Sequence, residues 1–242
     1  LRGDRPAQVC RSLFLPMSDQ RFILASQSPR RRQLLALLGY PFEIVVPDVD
    51  EDVHLNAGPA TYVLRTAQQK AEAAGRMRPS SPLSLPHPIV IAADTTVALD
   101  GAILGKPADA DEARRMLLAL RGRAHDVHTG VCLVDAAGER EVAAVHSTVV
   151  TMRDYSAAEI DAYVATGDPL DKAGAYAIQH GDFSPVAALD GCYLTVVGLS
   201  LCGLIALLRE LGVPCRASRA ALLTAHDGFP CPLFEQIQGD CQ

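Results

Sequence analysis

The sequence predicts an α/β fold, because short apolar runs alternate with helical patterns over most of the chain. In residues 22–38 an apolar run breaks into polar residues and then into a helical pattern. Residues 89–93 are apolar at consecutive positions, as in a strand that is buried on both faces. Two β-rich runs, about 126–134 and 142–153, predict an antiparallel hairpin, so the sheet should be mixed.

Helix-capping and helix-breaking residues predict where the other helices and turns begin and end. A helix should open at Gly58-Pro59 and stop at Gly75, and Asp100-Gly101 marks a hairpin. Ser156 and Glu159 form a capping-box pattern. The remaining predicted elements are strands over 42–46 and 193–197 and helices over about 111–120 and 199–211.

Length and charge restrict the class of function. The 242 residues suit one α/β domain with tails or two small domains. With 22 basic and 28 acidic residues, the net charge is −6. This balance argues against nucleic acid or an anionic membrane as a partner. Any site for a polyanion must therefore be local.

The cysteines predict reduced thiols rather than a disulfide framework. They are seven, scattered and without a CxxC pair, as in a cytosolic protein in which several are buried. The sequence has no apolar stretch that would span a bilayer and no signal core, so we expect a cytoplasmic protein. The cysteines are Cys10, Cys132, Cys192, Cys202, Cys215, Cys231 and Cys241.

The first predicted helix begins inside a basic cluster. Ser28 is a good N-cap, and Pro29 suits the first helical position. The first amides of a helix have no partner within it, and Arg30, Arg31 and Arg32 add charge at the positive end of the helix dipole. This arrangement suits a phosphate, and a solvated basic face explains the same residues equally well.

Three further charged positions have two interpretations each. The acidic segment 48–52 is either a solvated loop or a source of carboxylates for a divalent cation. Lys70 lies almost on the apolar face of its helix, so it either snorkels from the core edge or points at an anion. Asp94 ends the buried strand, where open α/β sheets place ligands, although a turn aspartate would give the same pattern.

Two loops and a histidine pair complete the candidates. Gly105-Lys106-Pro107 is not a Walker A loop, because the glycine spacing and the Ser or Thr after the lysine are missing. The small residues of 168–179 permit close approach to a ligand, and a compact structural loop would have the same composition. His125 and His128 are not interpreted as metal ligands, because residues three apart on a strand face opposite sides.

Four segments, in order, resemble the signatures of the Maf family of nucleoside triphosphate pyrophosphatases. They are ASQSPRR at 25–31, AADTTV at 92–97, GKP at 105–107 and DPLDKAGAYAIQ at 168–179. The resemblance covers about residues 21–211. It implies a two-lobed Maf/ITPase-like fold, in which helices flank a curved mixed β-sheet around a central cleft, usually assembled as a homodimer.

The resemblance divides the chain into three parts. Residues 1–20 form an N-terminal extension that we expect to be disordered, and residues 21–212 form the Maf-like domain. Residues 213–242 have little periodicity and mix Pro, Gly and Cys, so we expect a peripheral or disordered C-terminal tail.

The resemblance also implies an activity, the hydrolysis of a nucleoside triphosphate to the monophosphate and pyrophosphate with Mg²⁺ or Mn²⁺. Family subgroups differ at three positions, here Arg30, Thr95 and Gln179, and this combination resembles the dTTP and UTP pyrophosphatases. The 7-methyl-GTP group typically carries Trp, Gln and Glu there. The alternative functions are a housecleaning pyrophosphatase for modified pyrimidine nucleotides, a 7-methyl-GTP pyrophosphatase, and a nucleotide-binding regulator of cell division or septation.

The same resemblance assigns roles to the charged residues. It implies metal binding by Glu51 and Asp94, and we expect Asp94 also to take the proton from the water that attacks the α-phosphorus. The residues expected to hold the substrate phosphates are Ser26, Arg31, Lys70 and Lys106.

Overall fold

One mixed β-sheet organises the described part of the chain. The computed structural model describes residues 20–50, 58–77, 88–135 and 140–237, together with residues 239 and 241. In these residues the strand order is β2-β1-β3-β5-β6-β7, and β4 pairs with β3 outside this path. The strands are β1 (Phe22–Leu24), β2 (Phe42–Ile44), β3 (Ile89–Leu99), β4 (Ala102–Leu104), β5 (Ala124–Asp135), β6 (Glu141–Met152) and β7 (Val186–Asp190).

Helices cover both faces of the sheet. The longest described helix, α2, packs on β3 and β5. No helix among the described residues is both long and apolar enough to cross a membrane. The helices are α1 (Pro29–Ala36), α2 (Pro59–Arg76), α3 (Ala110–Leu120), α4 (Ala157–Ala165), α5 (Tyr193–Val197), α6 (Leu201–Glu210), α7 (Arg219–Ala225) and α8 (Pro232–Ile237).

The pairing of β3 explains where the sheet is open. On one side β3 is paired with β5 from Ile89 to Ala98. On the other side the parallel strand β1 pairs only with Ile89–Ile91, and the antiparallel strand β4 pairs only with Val97–Leu99. Residues 92–96 therefore have no strand on this second edge within the described part of the chain. This gap lies at the carboxyl end of β1.

The apolar residues of β3 belong to three different core clusters. Ile91 and Ala93 join a cluster with α1, α5 and α6 on one face, and Ala92 joins a cluster with α2 on the other face. Val97 belongs to a third cluster, with α3 and α4. The polar residues 94–96 lie where β3 passes from the first two clusters to the third. The prediction of an α/β fold with a mixed sheet flanked by helices is thereby confirmed.

Two local predictions were wrong. We expected a strand to end at residue 93, whereas β3 continues to Leu99. We also expected a strand over 193–197, but these residues form helix α5. Aromatic and β-branched residues favour strands, and a run of five cannot be assigned by periodicity alone. Here burial of Tyr193, Leu194 and Val197 against the sheet decides the conformation.

The expectation of a peripheral or disordered tail was also wrong for its described residues. Helices α7 and α8 lie in this segment, and Leu222, Phe234 and Ile237 are buried in the same cluster as α6. The Ser218 side chain caps α7 by accepting a hydrogen bond from the amide of Ala221 at 3.1 Å. The helices are too short to produce a clear periodic pattern, so only their packing reveals the core residues. The division of the chain at residues 20 and 212 stays a prediction.

Gly130 allows α2 to approach β5 closely. A Cβ atom at this position would lie 2.4 Å from the carbonyl oxygen of Val63 and 2.8 Å from the amide nitrogen of Leu64. Both contacts are with backbone, so no side-chain rotation relieves them. Residue 130 is therefore a glycine for a steric reason.

We therefore expect Gly130→Ala to lower the free energy of unfolding by about 1–3 kcal/mol, as overpacking typically does. Urea denaturation measures the change. Gly75→Ala is a matched control in α2, because a Cβ there meets no atom within 4 Å. It should leave stability unchanged or raise it by up to about 1 kcal/mol. Equal stability of Gly130→Ala and the unmodified protein would contradict the steric explanation.

Candidate active site

A buried ion pair lies on the α2 side of the open edge of β3. The Lys70 ammonium is 2.7 Å from Oδ1 of Asp94, and the two side chains are only 12% and 9% exposed. Lys70 comes from α2 and Asp94 from the middle of β3. A buried carboxylate is costly without a positive partner, so the position of Lys70 is part of the fold as well as of the candidate site.

Arg31 forms a second polar group on the opposite face of β3. Its guanidinium donates to three acceptors: the carbonyl oxygen of Gly198 at 2.8 Å, the Thr95 hydroxyl at 3.1 Å and the Ser26 hydroxyl at 3.4 Å. These acceptors belong to the end of α5, to β3 and to the loop after β1. A planar guanidinium fits such a spread of acceptors better than an ammonium does.

A chain of hydroxyl groups fixes Thr95 in turn. Thr129 donates to the carbonyl oxygen of Thr195 at 2.7 Å. Its oxygen therefore accepts from Thr95, at 2.9 Å. Thr95 and Thr129 are directly opposed in the β3–β5 register. Because each hydroxyl has one proton, this chain orients the Thr95 oxygen as the acceptor for Arg31.

The two groups are neighbours in sequence but lie on opposite faces of the strand. Asp94 is paired in register with Gly130, against which α2 packs, whereas Thr95 is paired with Thr129. Successive side chains of a strand alternate between faces, so one compact cluster of Lys70, Asp94 and Arg31 does not form. The two groups lie on either side of the open edge between β1 and β4.

The start of α1 has fewer unpartnered amides than the sequence suggested. Ser28 is the N-cap, and its hydroxyl accepts from the Arg31 amide at 3.4 Å. The Ser28 amide itself donates to the Ser26 hydroxyl at 3.2 Å. Pro29 has no amide proton. Of the three N–H groups in residues 28–31, only that of Arg30 has no capping hydrogen bond within the described part of the chain.

Lys106 lies at the other end of the gap, on the exposed loop after β4. The carbonyl oxygen of the preceding Gly105 accepts from the Gly174 amide at 3.0 Å. Gly174 has φ +68°, and a Cβ there would lie 3.0 Å from the methyl carbons of Val97. The glycine therefore permits a close approach between loop 168–179 and β3, which favours the structural interpretation of that loop.

Internal hydrogen bonds also hold loop 168–179. Lys172 is buried and donates to the Asp168 carboxylate at 2.9 Å, while the Tyr163 hydroxyl donates to the same carboxylate at 2.7 Å. Burial acts to raise the pKa of Asp168, but these hydrogen bonds outweigh it and lower the pKa. These hydrogen bonds fix the conformation of the loop and thereby the position of the residues that follow it.

Both histidines of β5 form hydrogen bonds with other side chains of the protein. Nε2 of His125 is 2.8 Å from the hydroxyl oxygen of Tyr176, and burial lowers the pKa of His125 to about 4. His128 lies 2.7 Å from the Ser147 hydroxyl through Nδ1. At neutral pH His125 is therefore uncharged and ties β5 to loop 168–179.

The remaining predicted residues are more scattered. Arg30 is half-buried on α1, and Gln179 is exposed on loop 168–179, where it interacts with the Tyr193 side chain. Neither forms a hydrogen bond with Thr95 within the described residues. Glu51, the predicted second metal ligand, lies outside the described residues.

Comparison with known proteins gives this geometry a family context. The family model described as Maf-like protein matches residues 21–211, and this span includes every residue of the candidate site. The chain belongs to the Maf family. This Maf protein is 50% identical over 197 residues to a protein of Anaeromyxobacter dehalogenans named dTTP/UTP pyrophosphatase, covering 80% of the chain and 95% of the relative.

Further relatives have the same name at similar identity. A Symbiobacterium thermophilum protein named dTTP/UTP pyrophosphatase is 45% identical over 195 residues, covering 81% of the chain and 96% of the relative. Among solved structures, a nucleoside-triphosphatase / dITP/XTP pyrophosphatase from Mycobacterium abscessus matches with a TM-score of 0.37 and 18% identity. It covers 56% of this Maf protein and 76% of the solved chain.

Sequence reasoning missed the residues that support Arg31. Gly198 has φ +120° and presents its carbonyl oxygen to the guanidinium, and Thr129 fixes the Thr95 hydroxyl. The glycine that ends the apolar run 193–197 was available as a signal for a helix end. It was not used, because that run was interpreted as a strand.

The Lys70–Asp94 pair predicts a measurable coupling. We expect Lys70→Met to lower the free energy of unfolding by about 1–3 kcal/mol, because it leaves a buried carboxylate without this cation. Adding Asp94→Asn should recover part of the loss, since the buried charge is then removed. Urea denaturation of the two single variants and the double variant measures the coupling.

An exposed pair on the same helix supplies the control. Arg76 and Glu72 lie 2.9 Å apart, with side chains 75% and 57% exposed. Arg76→Met should change stability by less than about 0.5 kcal/mol, as for other exposed helical pairs. Strictly additive effects of Lys70→Met and Asp94→Asn would show that the buried pair is not energetically coupled.

Proposed function

We propose that this Maf protein hydrolyses dTTP and UTP to the monophosphate and pyrophosphate. The observation that carries the proposal is the buried Asp94 carboxylate beside Lys70, at an open strand edge, in a chain about half identical to dTTP/UTP pyrophosphatases. Phosphate binding alone would need cations but no buried carboxylate. A carboxylate at this position is suited to accept a proton from water.

The triphosphate would cross the open edge of β3. Arg31 and Ser26 lie on one side of this edge, Lys70 lies on the other, and Lys106 follows β4 at its far end. These side chains would neutralise a polyanion in a protein whose net charge is −6. Arg31 is already oriented by its three acceptors, so its alignment costs little on binding.

Asp94 would act as the general base. Lys70 holds one carboxylate oxygen in place and stabilises its negative charge. The carboxylate would take the proton from a water molecule aimed at the α-phosphorus, and Lys70 would turn toward the incoming phosphates. Pyrophosphate would leave from the opposite side of the α-phosphorus.

We also propose a divalent cation, Mg²⁺ or Mn²⁺, as cofactor. Carboxylate oxygens are the ligands that such hard cations prefer, and the Asp94 carboxylate fits this requirement. Glu51, outside the described residues, would add a second carboxylate. When bound, the cation would polarise the α-phosphoryl group and balance its charge.

Arg30, Thr95 and Gln179 would together select the base. Thr95 is hydrogen-bonded to Arg31 and Thr129. It would therefore affect base selection indirectly, by fixing the position of the Arg31 guanidinium. Arg30 and Gln179 offer donors, and Gln179 also an acceptor, for the edge of a pyrimidine. A polar pocket of this kind rejects a mismatched base by leaving its groups unpaired.

Product analysis tests the reaction and the base preference together. The protein would be incubated with Mg²⁺ or Mn²⁺ and, separately, dTTP, UTP, CTP, GTP or 7-methyl-GTP. We expect monophosphate plus pyrophosphate, formed fastest from dTTP and UTP. Diphosphate plus orthophosphate would overturn the cleavage position, and equal rates for dTTP and 7-methyl-GTP would overturn the base preference. Nucleotide binding without any product would indicate a sensor.

Asp94→Asn tests the base. We expect kcat to fall by about 10²–10⁴, the usual contribution of a positioned base, while circular dichroism shows a folded protein. Asp100→Asn is the matched control, because Asp100 lies in the β3–β4 turn and pairs only with Arg123 in the described part of the chain, at an exposed site. Turnover by Asp94→Asn within a few-fold of that of Asp100→Asn would remove Asp94 from this role.

A further inference from the structure

Three cysteines and a histidine converge where the C-terminal helices meet the rest of the fold. Cys192 is the N-cap of α5, and Cys202 lies in the first turn of α6. His226 directly follows α7, and Cys231 directly precedes α8. Two of these residues thus come from the Maf-like domain and two from the segment after it. None of them belongs to the candidate active site.

The candidate ligand atoms of these four residues lie close together. Nε2 of His226 is 3.6 Å from Sγ of Cys202 and 3.7 Å from Sγ of Cys192. Sγ of Cys231 is 3.9 Å from Sγ of Cys202. The ligand atoms of Cys192, His226 and Cys231 all lie within 4.8 Å of one another.

The three individual distances, from 3.6 to 3.9 Å, are close to what zinc requires. With Zn–S bonds of about 2.3 Å and Zn–N bonds of about 2.0 Å, a tetrahedral site separates its ligand atoms by about 3.5–3.8 Å. A disulfide instead brings two sulfur atoms to about 2.05 Å. The Cys202 and Cys231 sulfur atoms are far outside that distance and close to the zinc value.

The histidine is oriented as a metal ligand. Its Nδ1 lies 2.6 Å from the carbonyl oxygen of Leu222. A carbonyl can only accept, so Nδ1 carries a proton, and Nε2 faces the sulfur atoms, where it can bind a metal ion once it has no proton of its own. Such a hydrogen bond from the second ring nitrogen is the usual support of a metal-binding histidine.

The cluster is also closed from solvent. Cys192, Cys202 and His226 are at most 3% exposed, and Cys231 is partly buried. Four protein ligands leave no position for water or substrate, as in a structural rather than a catalytic zinc site. The buried thiol of Cys132 differs, because it lies among apolar residues under α2, where burial raises its pKa to about 12.

We propose that Cys192, Cys202, His226 and Cys231 bind one structural Zn²⁺ ion. The ion fixes α7 and α8 against α5 and α6. It also anchors the start of α5, whose other end presents the Gly198 carbonyl to Arg31. Through α5 the site therefore supports the geometry of the candidate active site from a distance.

Metal analysis of the full-length protein tests the proposal. After expression with zinc and removal of loosely bound metal, mass spectrometry for zinc should find about one ion per chain. Cys202→Ser and His226→Gln should each retain at least about tenfold less zinc, since loss of even an outer-shell partner costs that much. A chelator strong enough to remove the ion should lower the melting temperature, because a metal bound only by the folded state stabilises it.

Two variants are matched controls. Cys132→Ala removes a buried thiol outside the cluster and should keep the full zinc content. Asp94→Asn should also keep it, which separates this ion from one bound at the candidate active site. Zinc content that is unchanged in Cys202→Ser and His226→Gln would overturn the assignment.

Cobalt substitution of the unmodified protein covers the case in which a ligand variant does not fold. Co²⁺ in a tetrahedral site with three thiolates gives intense visible absorption and a thiolate-to-metal charge-transfer band. Absence of these bands, with less than about one tenth of a zinc ion per chain after zinc loading, would overturn the proposal. A disulfide among the three cysteines in the native protein, found by peptide mass spectrometry, would overturn it equally.

Discussion

The incomplete pairing of β3 along one of its two edges is the constraint from which the candidate site follows. Along β5 the strand is paired from Ile89 to Ala98, so its path is fixed over nearly its whole length. On its other edge β1 covers the beginning and β4 the end. Within the described residues no strand pairs with the extended backbone between them, at the carboxyl end of β1, and this is the kind of position where open α/β sheets bind ligands.

Two kinds of packing place charged groups around that gap. Gly130 lets α2 lie directly on β5, and α2 in turn places Lys70 against Asp94. On the opposite face, Arg31 is held by acceptors from three separate parts of the chain. The positive charge is therefore local and fixed, although the protein as a whole is acidic. Preorganised charge of this kind is what stabilises a polyanionic transition state.

The C-terminal helices extend this arrangement beyond the segment that matches the family model. They bury Leu222 and Phe234 against α6 and bring His226 and Cys231 to the cysteines at the starts of α5 and α6. Helix α5 thus lies between the proposed zinc site and the Gly198 carbonyl that binds Arg31. A zinc ion there would link the stability of one end of this helix to the geometry at its other end.

The fold class, most helix boundaries and the charged residues near the site could be predicted from the amino-acid sequence. This is possible because capping residues, glycines and apolar periodicity act over a few neighbouring positions. The capping box at Ser156 and Glu159, for example, is present as predicted. Family resemblance added the roles proposed for Lys70, Asp94 and Lys106, which no local pattern distinguishes from ordinary surface or turn residues.

Which of these residues lie close together in space depends on the tertiary fold. Asp94 and Thr95 are adjacent in the chain, but the alternation of side chains along β3 sends one to Lys70 and the other to Arg31. The conformation of 193–197 and the burial of the tail likewise depend on surfaces from distant parts of the chain. Contacts of this kind join residues that are far apart in sequence, so no short-range pattern encodes them.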